Sequence, residues 1–226
     1  MSRRDLVRYL WDFEVHEVFL PAPPEQQWTV SEQDPLHASN LSSMAKALAS
    51  CQRCRLWKGR TQVVFGVGDP KAAVVFVGEA PGEEEDFQGE PFVGKSGRLL
   101  NAMLRACGLQ RHQVYIANIV KCRPPKNRDP KDDEAAACLP FLRRQLAMVA
   151  PQVIVLLGKV AARHLLGARG PISSFCGQWQ RWEGVDVLPT FHPSYLLRKP
   201  FAKRDAWEHL KLLMKRLALV EKRTST

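Results

Sequence analysis

Four short apolar runs are spaced along this chain, Val74–Val77, Val114–Val120, Val153–Leu157 and Val185–Leu188, with helical patterns between them. That alternation restricts the fold to the α/β class, because each run has the length of a strand and the intervals leave room for crossover helices. The runs are almost continuously apolar, so both faces of the sheet they form must be covered. The expected architecture is α/β, a three-layer α/β/α sandwich around a central, mostly parallel four-stranded sheet. Leu99, Leu100, Met103 and Leu104 make one helical stripe before Gly108, and Ala135, Leu139, Leu142, Leu146 and Val149 make another before Pro151. Pro140 falls inside the second helix and removes a backbone donor, which predicts a kink or break beside Cys138. A last helix over about residues 202–219 turns Ala206, Leu210, Leu213 and Leu217 inward and Lys211, Lys215 and Arg216 outward.

Residues 1–40 stand apart. Leu6, Leu10 and Phe13 have helical spacing, and Pro21, Pro23, Pro24 and Pro35 with polar neighbours then read as a linker. The first 40 residues are accordingly an N-terminal helical appendage, and 41–226 form the main domain. Charge divides at the same place: residues 1–40 are net −4, which leaves +14 on residues 41–226 out of the overall +10. A domain so basic attracts polyanions, of which nucleic acid is the usual one, because neutralising phosphates releases counterions. No apolar run approaches the roughly 20 residues that span a bilayer. Asp5, Arg8, Asp12 and Glu14 break up any secretory apolar region. A cytoplasmic monomer without membrane contact is expected.

The loop Gly78-Glu79-Ala80-Pro81-Gly82-Glu83-Glu84-Glu85-Asp86 directly follows the first strand, and open α/β sheets bind ligands in loops at the carboxyl ends of their strands. It runs on through Pro91-Phe92-Val93-Gly94-Lys95-Ser96-Gly97 into a helix. Backbone N–H groups at that helix start, with Lys95 and the Ser96 hydroxyl, suit a phosphate of a nucleic-acid backbone. The spacing is not that of a P-loop. Cys51-x2-Cys54 and the distant Cys122 and Cys138 can close a four-thiolate site, and spacing alone leaves structural zinc and an iron-sulfur cluster both open. Such a set in a chain without a secretory leader argues against disulfides. Cys107 and Cys176 fall outside this set.

Gly78-Glu79-Ala80-Pro81-Gly82 with Asp86, then Pro91-Phe92-Val93-Gly94 with Ser96-Gly97, Asn118-Ile119-Val120-Lys121-Cys122-Arg123-Pro124-Pro125, and His192-Pro193-Ser194 occur in that order over residues 41–217. Taken together they resemble the family 4 uracil-DNA glycosylases. The resemblance implies a uracil-DNA glycosylase-like fold, with Cys51, Cys54, Cys122 and Cys138 on a 4Fe-4S cluster. It also implies that Gly78, Glu79 and Ala80 line a uracil pocket, Phe92 stacks on the base, Asn118 reads its edge and His192 contacts the departing pyrimidine. The substrate would be uracil-containing DNA, single- or double-stranded. An aromatic face suits a flat base, an amide can donate to O4 and accept from N3–H, and an imidazole can donate at O2.

The best-known uracil glycosylases carry Asp and Tyr where this chain has Ala80 and Gly82, so the acid that positions the attacking water must be another residue. Glu79 and Glu85 are the candidates. After His192-Pro193-Ser194, Leu196 or Leu197 could wedge into the gap left by a flipped base, with Arg198 as a DNA contact. Two other classes compete with turnover: a tight or covalent uracil-DNA binder, and a nucleic-acid-binding subunit using residues 1–40 as a docking arm for an unnamed protein partner. Covalent binders of this superfamily carry a histidine near the third cysteine; none lies between Cys122 and Cys138 here. That favours an enzyme.

Overall fold

The computed structural model describes residues 34–224, with side chains through residue 218. The helical stripe of Leu6, Leu10 and Phe13 lies outside the described residues. Six strands form one sheet: β1 (Val67–Gly68), β2 (Val74–Gly78), β3 (Tyr115–Asn118), β4 (Val153–Leu157), β5 (Gln180–Trp182) and β6 (Val185–Thr190), in the order β1-β3-β2-β4-β6-β5. The four apolar runs of the sequence are the four parallel strands β3, β2, β4 and β6. The sheet has six strands instead of four because β1 and β5 add short antiparallel edges. The helices are α1 (Leu41–Leu48), α2 (Glu83–Gln88), α3 (Lys95–Ala106), α4 (Asp132–Val149), α5 (Lys159–Leu166), α6 (Pro193–Arg198) and α7 (Lys203–Thr224). None of the described helices is long and apolar enough to cross a membrane.

The three-layer expectation holds in detail. Val75, Val77, Ile154 and Leu156 face Phe141, Leu142 and Leu146 of α4 and Ala161 and Leu165 of α5. Their sequence neighbours Val74, Phe76, Val155 and Leu157 point to the other face, against Leu100 and Leu104 of α3 and Leu213 of α7. This is the period-two alternation of a strand, with both phases apolar because both faces are covered. Each core leucine is tightly held, and truncating one to alanine would cost about 2–5 kcal/mol.

Three local expectations are corrected. Helix α4 runs through Pro140 without a break. The proline lies on the exposed side of the helix, where the carbonyl left without its donor can turn to solvent. Residues 34–40 are not a free linker: Leu36 and Ala38 pack on the first core, and Arg144 donates to the Ala38 carbonyl at 3.1 Å. Strand β3 ends at Asn118 and does not continue to Val120, although Ile119 and Val120 still donate to the carbonyls of Gly78 and Glu79 at 3.0 and 3.2 Å.

Chain order places the site. From β2 the chain moves outward to β3, then crosses back past β2 to β4, so the connections part between β2 and β4. Ligand crevices of parallel sheets open at the carboxyl ends of the strands at such a switch point.

Candidate active site

A cleft of about 720 Å³ opens there, lined among others by Glu79 and Ala80 after β2, Asn118 at the end of β3, Gly158 after β4, and His192 after β6. Phe92 forms its floor. Its backbone sits in the left-handed region at φ +56°, a conformation that a bulky residue adopts only when its surroundings fix it. Arg111 provides part of that fixation by donating to the carbonyls of Pro91 and Phe92. Gly97 provides more, since a Cβ there would stand 1.8 Å from the Phe92 carbonyl oxygen. Gly78 is needed for a similar reason: a Cβ would meet Asn118 Oδ1 at 2.4 Å and the Phe92 ring at 2.6 Å. The two glycines let an aromatic ring and an amide meet in one wall of the cleft.

Asn118 is buried, and its Oδ1 has no hydrogen-bond partner among the described residues. A buried acceptor left unmet costs stability, and this one belongs to a residue of the cleft wall. Its backbone carbonyl is held by the buried Lys121, whose Nζ donates at 2.9 Å. Burial lowers the Lys121 ammonium to about 8.

His192 stands with its ring 5.6 Å from that of Phe92. Its Nδ1 accepts the backbone N–H of Ser194 at 3.1 Å and lies 2.7 Å from the Ser194 hydroxyl. An Nδ1 that accepts a backbone donor carries no proton, so the neutral ring is protonated on Nε2. Desolvation, aided by nearby Arg198, lowers His192 to about 4. At neutral pH the residue is therefore a fixed, uncharged N–H donor. Gly158, at φ +94°, approaches so closely that a Cβ would lie 2.9 Å from that of His192.

The two candidate carboxyls have separate situations. Glu85 is occupied by the loop: Oε1 accepts from Val93 and Gly94 N–H, both at 3.0 Å, and Oε2 from Gly82 N–H at 3.1 Å. It ties the two motif loops together. Glu79 is the carboxyl open to the cleft, and it is raised to about 7, chiefly by burial, then by the charge and hydrogen bond of Asp129, with Arg198 opposing. Asp129 and Lys121 are site residues that the sequence did not reveal, being one charge among many and one lysine in an apolar run.

Lys95 and Ser96 line the cleft at the start of α3, and Arg198 lines it from α6. Leu196 is corrected as a DNA contact. It is 1% exposed and packs with Met103, Phe191 and Leu210. The helical phase of α6 turns its neighbour Leu197 outward, at 42% exposure.

Cys51, Cys54, Cys122 and Cys138 all line one small, largely apolar cavity with Leu48, Trp57 and Phe141. Arg60 crosses it, donating to the Cys51 carbonyl at 2.7 Å and to the Cys122 sulfur at 3.3 Å. Burial pushes the Cys138 thiol up to about 12, and the thiols of Cys54 and Cys122 are raised as well. Four thiols converging in such surroundings are a donor set suited to a soft metal centre, whose charge would favour their thiolate forms. Among the described residues no group of three or more His, Cys, Asp or Glu is arranged to hold a single metal ion.

An α/β/α sandwich thus brings an aromatic ring, a buried amide and a neutral imidazole to one cleft at its switch point. Residues 65–211 match the model of the uracil DNA glycosylase superfamily. A type-4 uracil-DNA glycosylase of Sulfurisphaera tokodaii is 42% identical over 193 residues, covering 81% of this chain and 87% of that protein. One from Thermotoga maritima is 48% identical, covering 69% and 82%. A type-5 uracil-DNA glycosylase of Pyrobaculum aerophilum is 31% identical, covering 69% and 76%. The chain belongs to the uracil DNA glycosylase superfamily and, within it, to the type-4 group.

Proposed function

We propose that this protein hydrolyses the N-glycosidic bond of deoxyuridine in DNA, releasing uracil and leaving an abasic site, as a monofunctional enzyme of base excision repair. The observation that carries this reading is the set of fixed polar groups around one flat space: the unmet Asn118 Oδ1, the Nε2–H donor of His192 and the Phe92 face. The target base must leave the helix stack to enter such a cleft. Uracil presents an N3–H donor to Asn118 Oδ1 and an O4 acceptor to the amide nitrogen.

When the bond to C1′ breaks, its electron pair leaves with the base and positive charge grows on the sugar. His192 donates to O2, where the negative charge develops, and its fixed tautomer means nothing need reorganise in the transition state. A carboxylate at Glu79 stabilises the sugar cation and receives a proton from the attacking water, whose oxygen bonds to C1′. The uracil anion takes its proton from solvent, which balances the hydrolysis.

The cysteine cavity supports a 4Fe-4S cluster on Cys51, Cys54, Cys122 and Cys138, whose role is to bind the Cys51 loop, the end of β3 and α4 into one unit. Lys95, Ser96 and Arg198 around the cleft mouth are placed to meet DNA phosphates, and Leu197 is the apolar side chain available to fill a flipped base's gap. Residues 1–40 take no part in this chemistry. The enzyme works as a monomer in the cytoplasm, where free thiols persist.

Incubation with a uracil-containing oligonucleotide followed by alkali tests the function. Strand scission at the uracil is expected. A crosslink that survives denaturation would make the protein a covalent binder, and retention without scission or crosslink would make it a binding subunit.

A further inference from the structure

The loop 124–129 is held in an unusual shape. Lys126 and Asn127 both lie in the left-handed region, at φ +54° and +53°, which side-chain-bearing residues enter at a cost. Arg128 secures the loop, donating to both carboxylate oxygens of the fully buried Glu134 at 2.8 and 2.7 Å and to the Asp129 carbonyl at 2.9 Å. Arg123 adds a bond to Asn127 Oδ1 at 2.8 Å. The outcome is that Asp129 reaches the cleft wall, which it lines together with Glu79, near enough for its charge to act on that carboxyl. Nothing in the folding of the core calls for this contact, because Asp129 is exposed.

We propose that Asp129 is a positioning residue for the hydrolysis: set beside Glu79 in the cleft wall, it orients that carboxyl toward the water that attacks C1′. The proposal rests on the reading of the cleft as a uracil-excision site. Two carboxyls in contact cannot both ionise freely, so the neighbour strengthens the hold on a proton at Glu79. A base is most effective when it titrates near the working pH, which is where Glu79 lies, at about 7. Arg198 from α6 acts in the opposite direction. The other charged or titratable side chains around the cleft are Glu83, Glu84 and Glu85 of α2, Lys95 of α3, Arg128, Lys159 of α5, His192 and Tyr195 of α6. As the water oxygen bonds to C1′, its proton passes to Glu79, and the pair later releases it to solvent.

Two measurements test this. In single-turnover excision at saturating uracil oligonucleotide between about pH 5 and 9, the wild-type rate should rise through an acid limb set by Glu79. Asp129→Asn should move that limb toward acid by about one pH unit and lower the plateau. Asp129→Glu should restore the limb, and Arg198→Gln should shift it toward alkali. Coincident limbs for wild type and Asp129→Asn would overturn the proposal.

The second measurement is melting temperature against pH without DNA. Glu79 is raised in the folded protein from an ordinary value of 4.5 to about 7, so its contribution to stability falls as pH rises through that window. Asp129→Asn should lessen the fall. His192 contributes with opposite sign below its ordinary value, but equally in both proteins, so the difference isolates the pair. Parallel curves would overturn the pairing even for an inactive variant. Since this second test needs no substrate, a failure of the excision reading and a failure of the pairing are distinguishable.

Discussion

The base cleft and the cysteine cavity share one stretch of chain, with Asn118 in the wall of the first and Cys122 in the wall of the second, and they are built by opposite means. The cleft takes its groups from the carboxyl ends of four parallel strands, and each group is fixed by backbone: Asn118 by its strand and Lys121, His192 by the Ser194 N–H, and the motif loops by three amides on Glu85. The cavity gathers its thiols from a loop, a strand exit and a helix, with Arg60 crossing between Cys51 and Cys122. Geometry in the cleft is thus inherited from the sheet, whereas the cavity draws its thiols from three separate segments.

The comparison breaks most visibly at Cys138. Cys138→Ser is expected to lose most bound iron and acid-labile sulfide and to lower the melting temperature by about 10 °C or more, since binding at such a site is folding free energy. Iron and sulfide assays with a thermal melt decide it; a metal-free variant that melts like wild type would show that the cavity stands without a guest. In the cleft the corresponding change is Asn118→Asp, which replaces the amide donor by an acceptor and should reduce uracil excision by about 10²–10³-fold with folding intact. Some cytosine excision should appear, because the carboxylate accepts from an N4 amino group. Single-turnover assays on matched oligonucleotides would remove Asn118 from base reading if uracil activity were unchanged.

Glu85→Ala sharpens the same contrast. Three backbone donors lose their acceptor, for an expected loss of about 1–3 kcal/mol in chemical denaturation. Excision should fall because the Phe92 and Glu79 loops come apart; full activity with that loss of stability would confine Glu85 to structure. The smallest effect concerns the cleft mouth. Affinity for uracil DNA should fall linearly on a log-log plot against salt, and Arg198→Gln should reduce the slope by about one. An unchanged slope would mean that Arg198 meets no phosphate.

Much of this was legible from the residues. Continuous apolar runs announced the four parallel strands, because only a doubly covered sheet tolerates them. The edge strands β1 and β5 were not, being two and three residues long and without an apolar pattern; pairing, not composition, makes them strands. The residue types of the cleft were also legible, but not their use. Glu79 and Glu85 look alike in the sequence and part only in the folded loop, which brings three backbone amides to Glu85 and leaves Glu79 half-buried beside Asp129 and Arg198 in the cleft wall. Leu196 and Leu197 are likewise indistinguishable until the one-turn phase of α6 is known. Asp129 owes its place to two successive left-handed residues, and although Asn127 is of a type that favours that region, Lys126 is not.

The contact of Lys121 with the Asn118 carbonyl has a consequence for chain length. Three residues separate the base-reading amide from the first of its thiol neighbours, and their buried side chains leave no slack. Adding or removing one residue between Asn118 and Cys122 would force either amide or thiol out of place, since the side chains of Ile119, Val120 and Lys121 fill the core and leave no loop to absorb the change. Growth has room elsewhere, as at the exposed two-residue turn Glu183-Gly184 between β5 and β6, where both residues already have positive φ. Insertions along the gene are therefore expected to be permitted at that hairpin and refused within residues 118–122.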